Sequence, residues 1–227
     1  PGCNTILGNV RIAGADITSL QGLNQIQTIR GNLEIKNNSL LQQLTGVENL
    51  DSVYGTLNIE WNPSLQIINA LDSLKFVGGF TFTISFNASL TTIESLERID
   101  SLGGSLRFIQ NDVLSSITGF QNVRIIDGNL SIASNPALTA ISSLGIDSIR
   151  GNCFITECGL DNLVCLDALR IVKGGFLITA NPKLTSLTGT NTLQSVGGLT
   201  ISSNALLASD LGFENLNSIG SDLTVEE

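Results

Sequence analysis

Two apolar rhythms alternate along the chain, and each demands a different backbone. One is a short stretch of period two, as in Leu33-Glu34-Ile35, Leu57-Asn58-Ile59 and Leu106-Arg107-Phe108. Such alternation belongs to a short strand with every second side chain turned inward. The other has apolar residues at every third position, as in Leu65, Ile68, Leu71, Leu74 and Val77, or Leu114, Ile117, Phe120, Val123 and Ile126. These segments are rich in Ser, Thr, Asn, Gly and β-branched residues and poor in Ala, Glu and Lys. They therefore predict short strands joined by tight corners rather than helix.

The pair of rhythms recurs from end to end. The first apolar residue of each copy falls at Val10, Leu33, Leu57, Phe82, Leu106, Leu130, Cys153, Phe176, Leu199 and Leu223, at spacings of 23, 24, 25, 24, 24, 23, 23, 23 and 24. So even a period leaves no room for a linker and predicts one mainly β domain over residues 1–227. Its expected form is a right-handed parallel β-solenoid of about ten 23–25-residue leucine-rich coils. Residues 1–9 read as an entry segment, and the end at Glu227 reads as an uncapped coil that stops inside a strand. Equivalent strands about 4.8 Å apart would make a rod on the order of 48 Å long.

Two further columns follow from this geometry. Asn38, Asn62, Asn87, Asn111, Asn135, Asn181 and Asn204 stand three residues past the last inward strand residue. An internal Asn ladder there would satisfy corner backbone that is otherwise buried without partners, with Cys158 breaking the column in coil seven. The Gly column ahead of each strand reads as backbone that turns tightly.

The repeat, with its Gly-Asn-Leu-x-Ile strand, its Asn corner and phrases such as Asn135-Pro136-Ala137-Leu138-Thr139 and Ser195-Val196-Gly197-Gly198, resembles the receptor L-domain type of leucine-rich repeat. That type occurs in insulin and EGF receptor ectodomains, fungal GPI-anchored cell-wall proteins and microbial surface proteins. The resemblance implies an extracellular or cell-surface setting, a role in ligand binding or adhesion toward a protein or glycan partner, and no catalytic residue to carry over. The chain has more coils than the receptor versions and lacks their cysteine-rich module, so a growth-factor ligand is not implied.

Composition narrows the chemistry. The 227 residues hold no His, 11 Lys and Arg, and 20 Asp and Glu, for a net charge of −9. Without imidazole there is no Ser-His-Asp or Cys-His nucleophile and no His metal ligand, and the acidic balance opposes a nucleic-acid partner. The acids do not cluster: Asp51, Asp100 and Asp147 share one coil position on alternate coils, which reads as solvated turns. Glu60 beside Lys36 reads as a cross-strand ion pair. No enzyme, cofactor, metal site or membrane span is expected.

Four cysteines and three sequons remain. Cys3 lies too far along the axis from Cys153, Cys158 and Cys165 to pair with them, and it reads as free or as a link to another chain. A bond from Cys165 to Cys158 or Cys153 and a set of buried free thiols both stay open. Of the sequons, Asn37 and Asn129 should face solvent as glycosylation candidates, whereas Asn87 belongs to the inward ladder. Candidate partner-binding residues are the exposed apolar ones, namely Trp61, Phe86 and Ile109, and Phe154 and Leu177 on the outer strand face. Trp61 and Phe86 could equally serve only to cover the corner. A structural protomer stacked through its ends is the runner-up function. An ice-binding face through Thr18, Thr91, Ser115, Thr139 and Thr185 is a minor third.

Overall fold

Segments of the Leu-x-Ile type form strands that stack in parallel, coil upon coil. In the computed structural model, which describes residues 2–208 and 212–227, they are Val10–Ile12, Leu33–Lys36, Leu57–Glu60, Thr81–Ser85, Ser105–Ile109, Leu130–Asn135, Cys153–Cys158, Ile171–Thr179, Ser195–Ser202 and Leu223–Glu226. Register is strict: Leu33 lies beside Leu57, Leu57 beside Phe82, Phe82 beside Leu106, and the series runs on to Leu199 beside Leu223. The expected stack of about ten coils is thus the observed one.

A second rank of short strands, among them Thr28–Ile29, Ser52–Val53 and Phe76–Val77, completes an 18-stranded sheet. The period-three stretches supply a separate 4-stranded sheet from Ile67–Ile68, Thr92–Ile93, Ser116–Ile117 and Ala140–Ile141. Among the described residues the only helical turns are the 3₁₀ segments Gln21–Leu23 and Val164–Leu166. The apolar periods converge on one continuous core, in which Phe120 packs against Phe82 and Phe108 at ring-centroid distances of 6.0 and 5.7 Å. Leu223 and Val225 of the last strand are 58% and 55% exposed, whereas their neighbours Leu199 and Ile201 are 3% exposed.

One expectation is refined and one corrected. The chain does bend at Gly31, Gly55 and Gly151, but these glycines and Gly174, ahead of the strands, do not have positive φ. A β-carbon at these sites would collide with the Asn9, Asn32, Asn129 and Asn152 side chains and with backbone of the preceding coil, so close approach between coils, not a tight turn, requires Gly there. Lys36 is in register with Glu60, yet its ammonium pairs at 2.9 Å with Glu34 on its own strand. Glu60 instead accepts a hydrogen bond from the Ser85 hydroxyl at 3.2 Å.

Candidate functional site

The corner that follows each main strand is held by the Asn column, and this sets what the adjacent surface can display. Asn38, Asn62, Asn87, Asn111, Asn135, Asn181 and Asn204 are all buried. Asn62 shows the pattern: its Oδ1 accepts the Asn38 backbone N–H at 3.2 Å, and its Nδ2 donates to the Ile35 carbonyl at 2.9 Å. Asn87, Asn111, Asn135, Asn181 and Asn204 repeat the donation to a strand carbonyl of the coil before. At Cys158 the column is kept by the backbone, whose N–H donates to Asn181 Oδ1 at 3.0 Å. No buried side-chain polar atom among the described residues lacks a partner.

Immediately before each ladder residue the chain adopts a left-handed conformation. Asn37, Trp61, Phe86, Gln110, Ser134, Glu157, Ala180 and Ser203 have φ between 53° and 59°. This region costs an ordinary L-residue about 1–2 kcal/mol. Backbone hydrogen bonds across the stack impose it: the Trp61 N–H donates to Ser85 O at 3.2 Å, Phe86 to Ile109 O at 3.1 Å, and Gln110 to Ala133 O at 3.1 Å. Gly or Asn would take the position most readily, so Trp61 and Phe86 are not there for the backbone's sake.

These two rings stack face to face on adjacent coils, with centroids 4.1 Å apart and planes 5° from parallel. Trp61 is 52% exposed, and Phe86 is half-buried beside it. Together with Asn37, Ser39, Pro63, Ala88, Gln110 and Asp112 they line an open groove of about 510 Å³. Asp112 is the one charged residue among them. Past Phe86 a second depression of about 270 Å³ runs over the strand face between Glu60, Thr83, Arg107 and Ile109. Ile109 therefore joins this surface from the far side of Phe86. Phe154 and Leu177 pair with each other on coils seven and eight, half-buried and outside this groove.

Sequence reasoning missed two features. Phe80 is 89% exposed. It enters as the extra residue of the one 25-residue spacing, between Leu57 and Phe82, which was the available signal. A second amide ladder also escaped notice: Asn9, Asn32, Asn129 and Asn152 each accept, through Oδ1, a backbone N–H of the following coil at 2.7–2.8 Å. Asn129 is therefore half-buried with its oxygen engaged, whereas Asn37 is exposed at the rim of the groove. Asn87, the third sequon asparagine, is buried and donates to the Ile59 carbonyl at 3.0 Å.

The remaining candidates resolve into scaffold or solvent. Asp51 pairs with Lys75 at 2.7 Å and Asp147 with Arg170 at 3.4 Å, both exposed ion pairs of small energetic weight. Thr91, Ser115 and Thr185 are exposed and donate their hydroxyl protons to carbonyls of the preceding coil, so each offers solvent only an acceptor. Among the described residues no group of acids and cysteines is arranged to hold a metal, and no helix is long and apolar enough to cross a membrane.

Of the two alternatives open for coil seven, the structure has the thiols: Cys153, Cys158 and Cys165 are buried and free, and Cys3 is exposed and free. Cys158 sits in the Asn column, where its sulfur faces the Ile132 and Thr156 carbonyls. Burial pushes Cys158 up from 9.0 to about 11 and Cys165 to about 12, and it raises Cys153 as well. All three stay protonated in the fold above pH 9.0, while the unfolded chain ionises there. Stability is unaffected by them below 9.0 and falls as pH climbs toward the folded-state values. The unfolding free energy should drop by about 2–3 kcal/mol between pH 8 and about pH 9.5 for three such groups. Urea midpoints across that range check this, and a constant midpoint would refute it. Native thiol labelling should meanwhile count one reactive cysteine, Cys3, and denatured labelling all four.

A family model for the receptor L domain matches residues 2–112. No curated protein and no solved structure matches the chain.

Proposed function

We propose, on the premise that residues 2–112 belong to the receptor L domain family, that the chain is a non-enzymatic recognition or adhesion module that holds a protein or glycan partner against the Trp61–Phe86 groove. The receptor L domain is a ligand-binding kind of domain, typically extracellular, and the strand-and-corner repeat of the matched residues also shapes residues 113–208 and 212–226. The observation that carries the reading is the placement of two large aromatic rings at left-handed corner positions. A residue held at an energetic cost, half in water, points to selection for what it touches rather than for the fold. An extracellular or cell-surface location and a single solenoid domain over the whole chain complete the proposal.

The double variant Trp61→Asn, Phe86→Asn separates anchoring from mere covering of the corner. Asn relieves left-handed strain of about 1 kcal/mol at each site, and the lost ring pair contributed about 0.5–1.5 kcal/mol, so stability should change by no more than about 1 kcal/mol. Wild type panned against a displayed peptide library and probed on a glycan array should yield ligands that the variant binds at least about tenfold more weakly. Unaltered binding by a variant of native stability would remove the groove from the proposal.

A further inference from the structure

Resting on that groove as the binding site, we infer that its ligand is a neutral glycan, held with sugar rings against Trp61 and Phe86 and hydroxyls against the polar rim. Three observations lead there. The first is charge. The groove lining contains one carboxylate, Asp112, and no cation; the nearby Lys36 is paired with Glu34, and the exposed Arg107 stands with Glu60 in the separate depression past Phe86. On a chain of net charge −9, this disfavours sulfated, phosphorylated or otherwise acidic ligands.

The second is the kind of polar group. Asn37 and Gln110 offer amides that both donate and accept, Ser39 a hydroxyl, and Asp112 an acceptor-only carboxylate. A row of sugar hydroxyls, each able to donate and accept, matches that mixture, whereas a peptide bound by strand addition would need a free strand edge. Here the adjacent strand Leu57–Glu60 is paired on both sides, with Leu33–Lys36 and with Thr81–Ser85.

The third is shape and period. The stacked rings of coils three and four give a flat apolar edge flanked by polar side chains of coils two and five, which suits the alternating C–H and O–H faces of a pyranose. Linked pyranose units repeat on the order of the 4.8 Å between coils, so a chain running along the solenoid axis could meet equivalent positions on successive coils.

Trp61 is the sole tryptophan, so tryptophan-selective fluorescence reports on the groove directly. The chain is made in bacteria, which leaves the Asn37 sequon unmodified. It is titrated with cello-, chito-, manno- and β-1,3-gluco-oligosaccharides of increasing length, with a heparin oligosaccharide as the acidic counterpart, and with peptides selected on the wild type. The expected result is saturable change with at least one neutral series, tighter for longer members, little response to heparin, and affinity at least about tenfold lower in Gln110→Ala and in Asp112→Asn, as for loss of hydrogen bonds to a bound ligand. Calorimetry repeats the measurement for Trp61→Asn, where the fluorescent probe is gone. If no neutral series binds while selected peptides bind in a Trp61- and Phe86-dependent way, the glycan inference falls and the recognition reading stands. If heparin binds most tightly, the charge argument fails. If nothing that binds depends on Trp61 and Phe86, both readings fall.

Discussion

Asn111→Ala should lower the unfolding free energy by about 3–5 kcal/mol, because it orphans several buried groups at once. Asn111 Oδ1 receives the Asn87 backbone N–H at 3.2 Å and the Asn87 side-chain amide at 3.3 Å. Its Nδ2 serves the Ile84 and Ile109 carbonyls at 3.1 and 3.2 Å. The residue is 0% exposed, so water cannot replace these partners at native packing. Each unsatisfied buried group costs about 1–3 kcal/mol, and the small cavity adds to the sum. Asn111→Asp should be no milder: it keeps the size but puts a carboxylate oxygen against the two carbonyls formerly served by Nδ2, and protonating that oxygen to restore a donor is itself costly. Urea unfolding followed by circular dichroism checks both, and a loss below about 1 kcal/mol would show that the ladder is not what secures the corner. The damage should also appear as lost cooperativity, since each coil touches only its neighbours and a weak middle coil lets the two halves unfold separately.

Gly189→Ala should destabilise by about 4 kcal/mol or more, by a different route. Gly189 has φ of +107°, which an L-residue rarely adopts, and a β-carbon built on it would press into the Leu163 carbonyl and lie 2.5 Å from the Val164 nitrogen. Relief is possible only by moving two coils apart, which breaks the Leu163 N–H to Thr188 O bond of 2.9 Å at the same contact. Gly8→Ala is the internal control: nothing lies within 4 Å of its would-be β-carbon, and its φ is ordinary, so its effect should stay within about 0.5 kcal/mol. Thermal melts of the two variants side by side measure the contrast. Equal melting temperatures would mean that the stack yields where its geometry says it cannot.

The coil, its register and the Asn column were legible because each leaves a periodic mark. Leu33, Leu57 and Phe82 could be aligned by eye, and they do lie side by side. The left-handed row left no such mark. Asn, Trp, Phe, Gln, Ser, Glu and Ala all occupy it, since hydrogen bonds from the next coil dictate the conformation whatever the residue. Its aromatic members were therefore visible as candidates, but their strained placement and their stacking were not. The pairing of the cysteines stayed open for a related reason. Spacing shows which thiols share a coil, yet whether they bond depends on side-chain direction, and here Cys158 turns to backbone carbonyls. The Lys36 ion pair went to Glu34 instead of Glu60 because a long flexible side chain chooses among several acids within reach, and register fixes only where its root lies.

Along the left-handed row, hydrogen bonds from the next coil set the backbone. Because neighbours, not occupants, enforce the backbone there, the eight positions from Asn37 to Ser203 form a rail of exchangeable side chains, one per coil where the ladder continues. Substituting along the rail would change the molecule's outward chemistry at intervals of about 4.8 Å while leaving the interior that folds it untouched. Diversification confined to those positions could therefore redirect binding at a change of only about 1 kcal/mol per site, much as loops do on other scaffolds, but with the spacing of a ruler.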